Sequence, residues 1–270
     1  MENAFFRQTF ALTKREMKHW YRSRIQIFMS LIQPLIWLGL FGTIMGGMME
    51  SAGGITGYFD ALAMGMIIIT ALTTSMNSGI SLVWDRRFGF LDKIRAAPIP
   101  RGAIPLSRVL ASTMKSLIQC TIVFIIAMIL GLNISGEAFG VWSIPVFIMT
   151  VVGISLTFSS VFVALGLVLK SHEAFMGINM LLMMPMMFVS GAMFPTGFIE
   201  NEILRGIANC NPLTYAADAL RSVFIDTGPG NMLLSMPNIS WYADLGILLA
   251  VAMVITIMGM AFARRALIVR

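Results

Sequence analysis

Six long runs of apolar residues set the pattern of the chain: Ile27–Gly46, Tyr58–Val83, Val109–Leu130, Val141–Leu169, Phe175–Phe194 and Tyr242–Ala263. A helix crossing roughly 30 Å of hydrocarbon needs about 20 such residues, so each run predicts a span. None alternates polar and apolar over about ten residues, as strands of a membrane barrel do. Ahead of the first run, residues 5–24 have helical periodicity. Phe6, Phe10, Met17, Trp20 and Tyr21 fall on one arc, with Arg7, Lys14, Arg15, Lys18 and Arg22 on the other. That pattern predicts a helix lying in a headgroup layer, apolar side down. It either anchors the first span or also borders a partner. Ile203–Ala208 and Leu213–Phe224 predict two short helices, the second with Asn211 as cap and Pro212 at its first position. The fold class is therefore all-α integral membrane: six spans, an N-terminal interfacial helix, and short re-entrant helices between spans five and six. The 270 residues read as one domain, with segments 1–25 (interfacial helix), 84–108 (inner connection) and 195–241 (outer connection).

Composition agrees. The chain is 57% hydrophobic and 12% charged, against roughly 25% charged in soluble domains. That excludes a soluble enzyme and a nucleic-acid-binding module. The net charge of +6 reflects orientation instead: the N-terminal segment, the connection after span two, the turn at Lys170 and the C-terminus hold 16 of 19 lysines and arginines. By the positive-inside rule these segments are cytoplasmic, termini included. The implied location is the plasma membrane. Cys120 and Cys210 are too few for a disulfide scaffold.

The inner connection opens W-D-R-R-F-G-F-L-D-K-I-R from Trp84. It predicts a short helix with Phe88, Leu91, Ile94 and Arg95 on one side, stopped by Pro98 and Pro100. Exposed apolar side chains in a basic loop suit docking into a groove on another protein; a second interfacial segment is the plainer alternative. The outer connection is long for a link, and its two semi-apolar helices read either as segments closing a path or as a passive cap.

There is no G-x-x-x-x-G-K-[ST] phosphate loop and no cluster of acids, histidines or cysteines at metal-ligand spacing. No catalytic, cofactor-binding or metal-binding residue can be named. Gly42 and Gly46 form a G-x-x-x-G, a weak sign of close helix approach. In the predicted spans Asp60 lies at an outer edge and Lys115 near an inner one; Gln33, Asn77, Gln119 and Asn179 are the other polar groups of note. Ion-coupled carriers usually place carboxylates or histidines near the midplane, so the chain is expected to borrow its energy from the cytoplasmic side. A self-sufficient secondary carrier or channel is the alternative. Seven methionines of the fifth span surround Pro185; they read first as ordinary packing, and second as the lining of a path for apolar cargo.

With these residues in view, the chain resembles the membrane subunits of ABC-2 type exporters. The resemblance rests on the N-terminal helix, on R-R-F-G-F-L-D-K-I-R-A-A-P-I-P-R from Arg86, and on F-P-T-G-F followed by N-P-L-T-Y-A-A-D-A-L-R, ending at Arg221. It implies two copies of the permease paired with two ATPase subunits, which would bind the ATP and magnesium; this chain would hold no cofactor. The coupling helix would lie within Asp85–Ala96, and ATPase-coupling residues would be Asp85, Arg86, Arg87, Phe88, Gly89, Leu91, Ile94, Arg95, Pro98 and Arg101. Pro195, Gly197, Pro212, Tyr215, Asp218 and Arg221 would form the external gate. Outward movement of a hydrophobic or amphipathic substrate, drug-like or lipid-like, is the implied activity.

Overall fold

The apolar runs fold as helices that extend past them at several ends. A computed structural model describes residues 2–53, 57–89, 100, 102–134, 140–169, 171–193, 201–225 and 239–268. Its helices are α1 (Glu2–Arg22), α2 (Arg24–Ile36), α3 (Thr43–Gly53), α4 (Tyr58–Arg87), α5 (Ala103–Ile129), α6 (Ser143–Val168), α7 (His172–Val189), α8 (Glu202–Asn209), α9 (Pro212–Phe224) and α10 (Trp241–Ile268). Six of the helical segments are long and apolar enough to cross a membrane: Arg24–Ser51, α4, α5, α6, α7 and Trp241–Ala266. Among the described residues there is no strand.

The first span is not uniform. Pro34 lies inside α2, where its ring displaces one backbone hydrogen bond. A π-helical stretch, Trp37–Gly42, follows before α3 resumes the regular winding.

The centre of the bundle is α4 and α6, whose most apolar stretches are 78% and 72% buried; the first span and α7 reach only 17% and 11%. α4 carries little amphipathic bias because neighbours cover most of its surface. Its Thr70, Thr74 and Ser75 hydroxyls find acceptors in carbonyls four residues back, at 2.7, 2.8 and 2.7 Å, and Thr74 also reaches the Gln119 side chain. Small residues let α4 and α6 touch. A Cβ on Gly79 would come within 2.3 Å of the Phe162 carbonyl oxygen, and one on Gly166 within 2.6 Å of that of Gly79. Close approach therefore occurs here and not at the G-x-x-x-G: Gly46 has nothing within 4 Å, and Gly42 meets only side chains, the nearest being Phe59.

The two chain ends meet at one end of the bundle. A Cβ on Gly102 would find Arg264 at 3.4 Å and Phe5 at 3.7 Å. This is the basic end, and it also receives Arg87 of α4. At the opposite end, Trp142 and Trp241 stand before α6 and at the start of α10, with centroids 6.4 Å apart. Amphipathic rings at such positions suit a membrane interface.

Candidate functional site

At the basic end, α1 lies along α5 with a face the periodicity did not single out. Thr9, Thr13 and Trp20 are buried against the bundle, whereas Phe6, Phe10 and Tyr21 are exposed; Met17 lies between. Trp20 thus leaves the outward apolar arc assigned to it from sequence. It lies toward the bundle edge of that arc, which is enough to turn it inward. Arg15 is exposed on the basic side of the helix.

The α1 face delivers Glu16 to Arg108. The guanidinium of Arg108 holds Glu16 Oε2 at 2.6 Å, pairs with the carboxylate of Asp85, and donates to Ser81 Oγ at 3.0 Å. One cation therefore ties α1, the last turns of α4 and the first turns of α5. Because α5 begins at Ala103 and not Val109, Arg108 is a buried helical residue and no longer part of a loop. The same shift changes Lys115. It is the thirteenth residue of α5, about 18 Å along the helix from Ala103.

The predicted helix within Asp85–Ala96 is corrected in its first part. Asp85, Arg86 and Arg87 complete α4, Phe88 caps it, and Gly89 turns the chain with φ +67°. Arg86 Nη1 donates to the Leu167 carbonyl at 3.1 Å, tying α4 to the end of α6. Arg87 lies over the Trp84 ring at 5.6 Å. Phe88 stacks on the same indole, 5.6 Å away and 12° from parallel, and is 73% exposed. Leu91, Ile94, Arg95, Pro98 and Arg101 lie outside the described residues.

At the opposite end, Asn211 Oδ1 accepts from the Leu213 amide at 3.0 Å, and Pro212 opens α9 as predicted. Asn211 Nδ2 donates to the Met186 carbonyl at 2.8 Å, and Tyr215 Oη to the Asn209 carbonyl at 2.8 Å. Asp218 and Arg221 are fully buried and 3.6 Å apart. Arg221 also donates Nε to the Ala61 carbonyl at 3.1 Å and Nη2 to that of Ala192 at 2.9 Å. Burial pushes its pKa down and the Asp218 carboxylate opposes that shift; burial, Cys210 and Asp244 push the Tyr215 phenol up. Gly65 passes so near Ala192 that a Cβ would fall 1.6 Å from that carbonyl oxygen. Arg221 thus fastens α9 to α4 and to the turn after α7. Pro195 and Gly197 lie outside the described residues.

Between the ends, the first span, α4 and α7 line an open-sided cavity of about 550 Å³, within the range of small-molecule sites. Met176, Met180, Met183, Met184 and Met187 form its apolar wall; Gln33, Asn77 and Asn179 are among its polar groups. Five of the seven methionines of the fifth span thus line this cavity. The fourth amide, Gln119, donates Nε2 to Ser30 Oγ at 2.6 Å and accepts from the Thr74 hydroxyl, joining α2, α4 and α5.

Residues 7–225 match the model of the family described as ABC-2 type transporter. The chain belongs to that family. Among its relatives is a protein of Porphyra purpurea named as transport permease ycf38, 32% identical over 86% of this chain and 78% of the relative. Nodulation protein J of Azorhizobium caulinodans is 26% identical over 79% and 82%. The daunorubicin resistance ABC transporter permease protein DrrB1 of Streptomyces coeruleorubidus is 25% identical over 75% and 70%. An ABC-2 permease is the membrane subunit of an ABC transporter and works with an ABC ATPase.

In this ABC-2 permease the structure brings Tyr215, Asp218 and Arg221 together on α9, and Asp85 with Arg108. It separates Phe88, which faces out, from Asp85, which pairs inward. Sequence reasoning missed Glu16 and the centrality of Arg108. A signal was present: Glu16 is the one acid inside the basic N-terminal helix after its first turn.

Proposed function

We propose that this chain is the membrane subunit of an ATP-driven exporter of hydrophobic or amphipathic compounds. It pairs with a second copy of itself and with two ATPase subunits, which bind the ATP and magnesium. The basic end faces the cytoplasm and the membrane is the plasma membrane. The positive-inside rule supports that orientation. Phe88, exposed at the cap of α4, supports docking of the ATPase there. The re-entrant reading of α8 and α9 closes the outer end of the path.

The methionine-lined cavity carries the substrate assignment. Its wall is soft and adaptable, which suits varied apolar bodies, and its amides can orient a polar group. The cavity lies between two of the least-buried spans. Phe28, Met29 and Leu40 of the first span and Met180, Leu181 and Phe188 of α7 are exposed, so a second copy set against these faces would complete its wall.

The test is reconstitution into vesicles with the partner ATPase, using daunorubicin and a fluorescent phospholipid as probes. ATP-dependent movement of either probe is expected, with the permease alone inert. The secondary-carrier reading draws some support from Lys115 at mid-helix and from the buried carboxylate of Asp244. Uphill movement by the permease alone, without nucleotide, would establish that reading and overturn this one.

A further inference from the structure

We infer that the cavity has a headgroup chamber at its basic end, and that the amphiphile it takes carries an acidic headgroup held by Lys115. This deepens the export reading and rests on it. A second cavity of about 130 Å³ sits beside the first, walled by α1, α2, α4 and α5. Ser30 and Asn77 line both, so the chambers share a wall. His19 lines the smaller chamber and also a basic recess with Arg15, Lys18 and Arg22. The three spaces therefore run in series: a cationic rim, a polar chamber, and an apolar chamber of methionines.

Among the described residues, the polar chamber is lined by one ammonium, Lys115, and one carboxylate, Glu16. Glu16 and Asp85 share the Arg108 guanidinium. Lys115 makes no hydrogen bond or close ion pair with another described residue; the Glu16 carboxylate acts on it from a distance but is held by Arg108, and Lys115 lines the chamber. An ammonium at membrane depth is costly unless water or a counter-charge meets it. Two further groups await a partner among the described residues. Ser112 Oγ in the polar chamber and Asn179 Oδ1 at the methionine chamber are buried without a hydrogen bond. Orphaned polar atoms at such depth call for an occupant. The excess positive charge at the rim selects its sign: a phosphate or carboxylate is drawn in from the basic face, pairs with Lys115, and leaves its alkyl chain among the methionines.

The test uses the purified full-length permease in phosphatidylcholine nanodiscs without nucleotide. Binding of dodecyl phosphate is compared with that of dodecanol, at equal membrane loading so that partitioning cancels. The wild type should prefer the phosphate by about tenfold or more, equivalent to about 1.4 kcal/mol. Lys115→Gln should reduce the preference below about threefold, and Lys115→Arg should keep it. No preference in the wild type, or an undiminished one in a folded Lys115→Gln, overturns the inference; the wild-type ratio decides the matter even if the variant does not fold. Phosphatidylglycerol in the nanodisc distinguishes the source of the headgroup. Competition assigns it to a membrane lipid, and its absence, with the preference intact, to an amphiphile delivered from solution. Since no ATPase is present, this result stands apart from the transport test. ATP-driven export without headgroup preference would overturn the present inference alone.

Discussion

Arg221→Met removes a guanidinium from a site with no access to water. The side chain is fully buried, ion-paired to Asp218 at 3.6 Å, and bonded to the Ala61 and Ala192 carbonyls at 3.1 and 2.9 Å. Removing one partner of a buried ion pair costs about 3–5 kcal/mol, mostly because the other charge stays behind. The two carbonyl bonds add little, since hydrogen bonds within membrane proteins average about 0.6 kcal/mol. At about 2–4 °C per kcal/mol for a chain of this size class, a loss near about 4 kcal/mol lowers the unfolding midpoint by about 8–16 °C. The measurement is thermal unfolding of the detergent-purified permease, followed by size-exclusion monodispersity. The decisive comparison is Arg221→Met with Asp218→Leu. Removing both charges should recover more than half of the loss, as an uncharged pair of similar volume needs no compensation. A single variant within about 2 °C of wild type, or a double variant whose losses merely add, would refute the view of Arg221 as the fastening between α9, α4 and the turn after α7.

Phe88→Asp should leave the unfolding midpoint unchanged, since the ring is 73% exposed, yet reduce co-purification of the ATPase about tenfold or more; undiminished co-purification would remove Phe88 from the docking surface. Gly166→Ala sets a methyl against the Gly79 carbonyl and should cost about 1–3 kcal/mol by overpacking, whereas Gly46→Ala, facing open space, should be silent in the same melt. A cysteine at Met180 should form a disulfide-linked dimer under mild oxidation in a Cys210→Ser background, because the position is 65% exposed on α7; a product that stays monomeric in vesicles would count against pairing through that face.

The spans and the α9 cap were readable because each depends on local order: a run of apolar residues longer than a bilayer, or Asn-Pro ahead of an apolar helical face. The departures arise where distant segments decide. Arg108 looks like one more loop cation until Glu16, 92 residues earlier, and Asp85 are placed around it. α5 starts six residues ahead of its apolar run, at Ala103, because proline in a first turn costs a helix no hydrogen bond, which an apolar run alone does not show. Trp20 and Tyr21 are adjacent in sequence and both aromatic, yet one faces the bundle and the other faces out. Hydrophobicity alone does not distinguish a lipid-facing surface from a packed one.

The same contacts explain how work done at the basic end could reach the cavity. α4 and α6 are in backbone contact at Gly79 and Gly166, and such contacts transmit displacement because close-packed interiors have little slack. Phe88 and Asp85 lie three residues apart at the end of that helix, so on the proposed docking a push on the exposed ring would reach the Arg108 node and through it α1. The first span and α7, which wall the cavity, are far less buried than α4. Few contacts resist their movement, and the first span already departs from regular winding after Pro34. A rigid lever joined to loosely held walls changes the cavity before it deforms the core. Stiffness at Gly79 and Gly166 and compliance at Trp37–Gly42 are, on this view, two parts of one requirement.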